Sequence, residues 1–310
     1  MSKIKKSIMG KNQVPIEVES AIQQYLKSCE ERKDKEKKAK LFRKLWNKKS
    51  LDFIINSTQI DCKKLENRLK ADERFIHKVK SFFEKNSILE NCLNIEDLKI
   101  YIRKMFCEIF DVEKYFEADE NINKKVVNEL ELNKLDHIVI NDDRYMTYAL
   151  CHHCYCLVKE APEKYVIEGK CYRHEDYLDI FRKEKFTMVE MVLFSSPLQL
   201  EDYRNKIIYL EYFLVKGLFS NYKFCIANDS FISDAPDLLL YQFLNKTKLE
   251  LQIYDDINNK YIAVSSINMH MKSFTKKYKI CTCDGKMADS MCVGIGIDRL
   301  FELIRRIESK

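Results

Sequence analysis

Arg173 stands where an apolar, strand-like run ends, in Gly169-Lys-Cys-Tyr-Arg-His-Glu175, and the next ten residues carry Arg182, Lys183 and Lys185. A guanidinium at a strand end presents a planar fork of donors that matches a phosphate, and a basic loop beside it suits a polyphosphate tail. The bland alternative is a salt-bridged strand with a basic surface loop, because Arg-x-Glu is common. A second stretch, Ser290-Met-Cys-Val-Gly-Ile-Gly-Ile-Asp-Arg-Leu300, holds two of the chain's six glycines. Glycines alternating with apolar residues mark a strand that something approaches closely. Arg299 would open the following helix, where the helix dipole and the guanidinium both favour a phosphate. A third stretch, Cys151-His-His-Cys-Tyr-Cys156, is dense in metal-ligand types, and Cys281-Thr-Cys283 could add a pair. Cys-x-Cys is not the usual spacing of a zinc knuckle, so most of this cluster reads as residues buried or exposed by alternation.

These residues need elements to hold them. From Ile16, the residues Val18, Ala21, Ile22, Tyr25, Leu26 and Cys29 recur at helical spacing, followed by the almost wholly charged Glu30–Lys40. Lys63–Lys85 reads as an amphipathic helix with Leu65, Leu69, Ile76, Val79 and Phe83 on one side, and the two helices could form a hairpin. A third helix is expected over Ile95–Phe110, capped by Asn94 with Asp97 three residues on. Beyond residue 136 the pattern changes to short, often β-branched runs at 137–140, 165–167, 188–194, 223–227 and 248–253. Helices are expected between them at 197–218, 237–244 and 299–307. The division drawn is a basic helical N-terminal region, 1–90, and a catalytic domain, 91–310.

Composition narrows the class. A chain of 310 residues with 46% hydrophobic residues has ample core material, and only 6 Gly and 4 Pro argue against a turn-dense all-β fold. No apolar run approaches the ~18 residues that span a bilayer. The basic start, Met1–Lys6, is not followed by an apolar stretch, so the expectation is a cytoplasmic protein whose 12 cysteines are reduced. Residues 2–49 hold 15 of the 54 Lys/Arg but only 6 of the 48 Asp/Glu. Such a segment attracts RNA or an acidic protein, or is simply a solvated helix.

Gly169–Glu175 with Phe186–Val192, and Ser290–Leu300, resemble motifs 2 and 3 of class II aminoacyl-tRNA synthetases. A narrower resemblance lies in Asn228-Asp-Ser-Phe, Lys248-Leu-Glu-Leu, Ser265-Ser-Ile-Asn-Met-His270 with Phe274, and Ala288-Asp-Ser-Met-Cys292. These are similar to amino acid–[carrier protein] ligases, seryl-type relatives that charge a carrier protein's phosphopantetheine instead of tRNA. The likeness covers roughly residues 145–305. It implies an α+β fold, an antiparallel sheet flanked by helices, and ATP with Mg2+ as co-substrate. Arg173 would grip the α-phosphate with Arg299, Glu175 would meet the adenine amine, Arg182 the polyphosphate, and Phe186 would stack on the adenine.

The resemblance also implies a catalytic Zn2+ on Cys151, Glu190 and Cys292. Three protein ligands leave one position open for the substrate's amine. Spacing alone does not find this site, because its ligands lie far apart in the chain. Glu250 would contact magnesium or the ammonium, and Asn268 and His270 would line the amino acid pocket, with His270 also a candidate to assist thiol attack. The implied reaction is adenylation of a small amino acid (Gly, Ala or Ser) and its transfer to the carrier thiol. The alternatives are a zinc-dependent seryl-tRNA synthetase-like enzyme that charges tRNA, and a non-catalytic nucleotide-binding paralogue. Family members form homodimers through motif 1, which ends at a proline, and this chain has none at 112–125.

Overall fold

The structure is a computed structural model and describes Leu69 and residues 72–130, 138–175, 177–227 and 247–308. The expected helices from Ile16 and at 237–244, and the hairpin of the first two helices, lie outside the described residues. Contacts divide the chain into a main unit, 61–223 with 250–310, and a smaller one, 1–60 with 224–249. The architecture below is that of the main unit, apart from the strand at 222–226 and the first two residues of the strand at 248–255, which straddle the division.

Helix α1 (Glu73–Lys85) starts where the Asp72 side chain accepts the Phe75 N–H at 3.0 Å. An Asp at this position satisfies one of the orphan donors of the first turn. The helix buries Phe75, Val79 and Phe82. Val79 is as expected, but Ile76 and Phe83 are only half-buried, and the inward face runs one residue earlier. Helix α2 (Ile95–Phe110) matches its sequence reading: the Asn94 side chain accepts the Asp97 N–H at 3.0 Å. It buries Leu98, Tyr101, Ile102, Met105, Phe106, Ile109 and Phe110, a continuous stripe at helical spacing. Phe75 packs on Phe110 with ring centroids 5.6 Å apart, and Phe82 meets Tyr101 at the same distance. Full burial of each such ring contributes about 1.5–3 kcal/mol.

The chain then turns through Asp111 in the left-handed region and enters β1 (Tyr115–Glu117). The central strands are β2 (Glu163–Tyr172), β3 (Lys185–Ser195), β4 (Lys248–Asp255), β5 (Lys260–Met271) and β6 (Asp289–Gly296). They lie in the order β1-β2-β3-β6-β5-β4. The pairings β2–β3, β3–β6 and β6–β5 are antiparallel, whereas β1 runs parallel to β2. Helix α3 (Pro197–Lys216) follows β3 and helix α4 (Ile297–Glu308) follows β6. The expected strands at 165–167, 188–194, 223–227 and 248–253 are all strands, and 139–141 is one of a small three-stranded sheet. The fold is therefore α+β, with an antiparallel-dominated sheet flanked by helices. Among the described residues, no helix is long and apolar enough to cross a membrane.

Helix α3 carries a fully buried acid. Glu211 faces Ser265 on β5, whose hydroxyl donates to it. Burial pushes the Glu211 carboxyl up to about 8, and the Ser265 bond only partly opposes this. A folded-state pKa above the unfolded value means stability is fully present below the unfolded pKa and is lost as pH rises through the folded one. From about pH 4.5 to 8, Glu211 is expected to remove on the order of 4 kcal/mol of stability. Glu211→Gln should flatten that part of the profile and gain stability relative to the parent at pH 8, measured by urea unfolding. Parallel profiles for the two proteins would show that Glu211 titrates normally.

Candidate active site

Two clusters sit on the central strands. The first gathers around Cys292 in the middle of β6, whose Cα partners are Val192 on β3 and Asn268 on β5. Cys151 lies on a short 3-10 turn, Leu150–His153, and both cysteines are buried. His270 Nε2 stands 3.3 Å from Cys292 Sγ, and Asn268 Nδ2 approaches the same sulfur at 3.7 Å. A hydrogen bond from the Cys151 thiol, followed by the charge and hydrogen bond of His270, holds the Cys292 thiol well below its ordinary pKa. The same bond, with burial, pushes Cys151 up. The pair therefore favours a single thiolate on Cys292. A thiolate is the form that binds metals.

Glu190 is buried on β3, and burial, then the nearby Cys292, push its carboxyl up to about 7. Its two oxygens accept the backbone N–H groups of Leu150 at 3.2 Å and Cys151 at 3.0 Å. These bonds tie the turn carrying Cys151 to the sheet. Gly294 on β6 pairs with Glu190. A Cβ at Gly294 would fall 2.9 Å from Met188 Cε and 3.2 Å from Glu190 Cγ, so the close approach expected at this glycine is made by side chains of β3. Among the described residues, the His, Cys, Asp and Glu donors within 4.8 Å of one another are those of Cys151, His270 and Cys292. That trio is a fit for a soft or borderline metal ion such as zinc. The rival knuckle is not gathered there: Cys156 and Cys283 are exposed, and His153 Nε2 instead faces the Thr147 hydroxyl at 3.0 Å.

The second cluster lies past the end of β2. The Arg173 guanidinium sits between two rings, 5.0 Å from the Tyr148 centroid and 5.1 Å from that of Phe186. Arg182 pairs with Glu175 at 3.0 Å and lies over the Tyr177 ring. Arg299, on the first turn of α4, donates from Nε to Phe181 O at 2.7 Å and from Nη1 to Ala263 O at 3.1 Å. Burial first, then the charge of Arg173, pull its pKa down, with Glu175 opposing, Arg182 adding to the fall and Glu250 opposing. Three guanidiniums and two carboxylates thus share one field. The charge of Arg173 also reaches Glu190, where it opposes the rise caused by burial and by Cys292. Glu250 on β4 accepts from Gln252 at 2.9 Å.

Sequence reasoning missed several groups here. Asp298 accepts from Lys183 at 2.8 Å and from the Thr187 N–H at 2.6 Å, latching the start of α4 to β3. Its position in the first helical turn was the available signal. Tyr148, beneath Arg173, carries no signal in its neighbourhood.

No family model matches the chain. It is 25% identical over 138 residues to amino acid–[acyl-carrier-protein] ligase 1 of Bradyrhizobium diazoefficiens, a match that spans 44% of this chain and 42% of that protein. Its fold is similar to that of seryl-tRNA synthetase from M. kandleri, solved with A. aeolicus tRNASec, at a TM-score of 0.56 and 15% identity over 69% of this chain and 55% of the other. Seryl-tRNA synthetase from Pyrococcus horikoshii, solved with ATP, follows at 0.52 and 16% over 67% and 49%. The chain thus spans about half the length of the proteins it resembles. It has the class II synthetase fold and is similar, over part of its length, to an amino acid–[acyl-carrier-protein] ligase.

Proposed function

We propose that this protein activates a small amino acid with ATP as an aminoacyl adenylate and passes it to the phosphopantetheine thiol of a carrier protein. The observation that carries the reading is that one sheet holds both a pair of buried thiols, with His270 3.3 Å from the Cys292 sulfur, and two arginines just past its strand ends, Arg173 after β2 and Arg299 after β6. Like-charged guanidiniums held together on ordered elements suit a polyanion, and Mg2+ would accompany it with Glu250 at hand.

In this reading the substrate carboxylate oxygen attacks the α-phosphorus of ATP. The bond to the bridging oxygen breaks, and pyrophosphate leaves. Arg173 and Arg299 stabilise the charge that grows on the α-phosphoryl oxygens in the transition state. Phe186 offers a ring face to the adenine and Glu175 an acceptor to its amine, while Arg182 meets the polyphosphate tail. Cys151 and Cys292, with a third donor that is Glu190 in the resemblance, would hold a zinc ion. When bound, that ion supplies a Lewis-acidic position for the substrate's amine. Asn268, whose Nδ2 lies 3.7 Å from Cys292 Sγ, borders the same space, and an amine held there favours a compact amino acid. In the second step the carrier thiol sulfur attacks the activated carbonyl, AMP leaves, and the thiol proton passes to solvent.

The basic segment 2–49 belongs to the N-terminal region, 1–90, and would attract an acidic carrier protein. It equally suits tRNA phosphates, so the tRNA-charging alternative rests on the same charge. Amino-acid-dependent ATP–pyrophosphate exchange across the twenty amino acids, with zinc and magnesium present, tests the reading. Exchange is expected with one or two of glycine, alanine and serine. No exchange from folded, zinc-loaded protein would favour a non-catalytic nucleotide-binding protein.

A further inference from the structure

We propose that Lys183 and Asp298 are positioning residues, whose ion pair anchors the basic loop after β2 and so presents Arg182 to the polyphosphate tail of the nucleotide. This rests on the ATP-dependent activation read above. It gives Lys183 a task different from that of its basic neighbours, since Lys183 would hold the loop instead of the phosphates.

The loop is fastened at three points. Asp179 Oδ1 accepts the N–H groups of Phe181 at 2.7 Å and Arg182 at 2.8 Å, which closes a tight turn, and Asp179 Oδ2 accepts from Lys260 at 3.1 Å. Phe181 is buried, with the Arg306 guanidinium of α4 4.8 Å from its ring centroid, and its carbonyl accepts from Arg299 Nε at 2.7 Å. Two residues on, Lys183 Nζ donates to Asp298 Oδ1 at 2.8 Å. The first turn of α4 thus grips the loop twice, Arg299 at Phe181 and Asp298 at Lys183. Arg182, between them, turns instead to Glu175 at 3.0 Å and to the Tyr177 ring at 4.7 Å.

Asp298 is suited to be the fixed point. Its side chain is only 12% exposed, and its second oxygen accepts the Thr187 N–H at 2.6 Å. Burial acts to raise its carboxyl pKa, but Lys183 and the Thr187 N–H hold it below the ordinary value, so it is ionised at neutral pH. It directly precedes Arg299, and its partners Lys183 and Thr187 adjoin Arg182 and Phe186. One side chain therefore sets the spacing of three groups assigned above to the nucleotide. Lys183 is 41% exposed, and a pair so open to water contributes little stability. Its effect is geometric, because a misplacement of about 1 Å can lower a rate by about 10²-fold.

Calorimetric binding of ATP with Mg2+, and of AMP, to the full-length protein tests this, because AMP lacks the tail that Arg182 would meet. Lys183→Met and Asp298→Asn should each weaken ATP by about 10-fold, the scale of one hydrogen bond to a charged group, and leave AMP unchanged. Asp298→Asn is decisive. It removes a negative charge and keeps an acceptor for Thr187, so a pure field effect would tighten ATP. The double variant should be no weaker than either single one, the mark of a shared interaction. Lys183→Arg, which can keep the pair, should retain most of the affinity, and in pyrophosphate exchange the weakened variants should show a raised KM for ATP. Unchanged or tighter ATP binding in Asp298→Asn, or losses that add in the double variant, would overturn the proposal and leave ATP-dependent activation intact. Equal losses of ATP and AMP would also overturn it, by making the pair a structural contact. A parent that binds neither nucleotide would overturn the activation reading as well.

Discussion

Arg299→Ala is expected to lower amino-acid-dependent ATP–pyrophosphate exchange by about 10²–10³-fold, the scale of losing one donor aimed at transition-state charge. Arg299 is half-buried at the N-terminal turn of α4, in the shared field of Arg173, Glu175, Arg182 and Glu250. Its two hydrogen bonds to Phe181 O and Ala263 O hold the guanidinium plane in place before any nucleotide arrives. Those bonds are charge-assisted, so their loss also costs stability, about 1.5–3 kcal/mol each. The thermal midpoint of the variant must therefore be measured beside its activity. Arg299→Lys keeps the charge but not the fork, and most of the loss should persist. A folded Arg299→Ala protein with unchanged exchange would remove Arg299 from the phosphate site.

Cys292→Ala should lose the metal and the exchange activity together. Cys292 is the sulfur that Cys151, His270 and Asn268 all address, and these contacts pull its pKa down. Structural zinc sites in small domains bind with about 10–16 kcal/mol spread over four ligands. One thiolate thus accounts for roughly 10²-fold or more in affinity. Packing loss is small by comparison, because a sulfur replaced by a methyl hydrogen gives up only about 1 kcal/mol of burial. The variant is expected to fold, to contain little zinc after dialysis, and to show no amino-acid-dependent exchange. Near-stoichiometric zinc in Cys292→Ala would exclude Cys151 and Cys292 as its holders. Exchange that survives without zinc would instead separate activation from the metal.

Local structure was legible where it depends on neighbours in sequence. The Asn94 cap with Asp97, helix α2, the start of α3 at Pro197 and the main strands all follow from periodicity, caps and β-branched runs. The inward face of α1 was displaced by one residue, because burial depends on what packs there, Phe110 and Tyr209 against Phe75. The parallel direction of β1 likewise belongs to the sheet, not to its three residues.

By itself, the sequence determined which chemical groups the chain carries and the apolar runs that make strands of the segments holding Glu190 and Cys292. Only the tertiary structure decided which of them meet. Glu190 reaches back 40 and 39 residues to Leu150 and Cys151, Asp298 reaches 111 to Thr187, and His270 lies 22 residues from Cys292. Contacts over such separations are set by strand register, and a one-residue slip turns every side chain to the other face. A single extra residue at His270 is such a local change, and its effect on the site appears only once β5 is paired with β6.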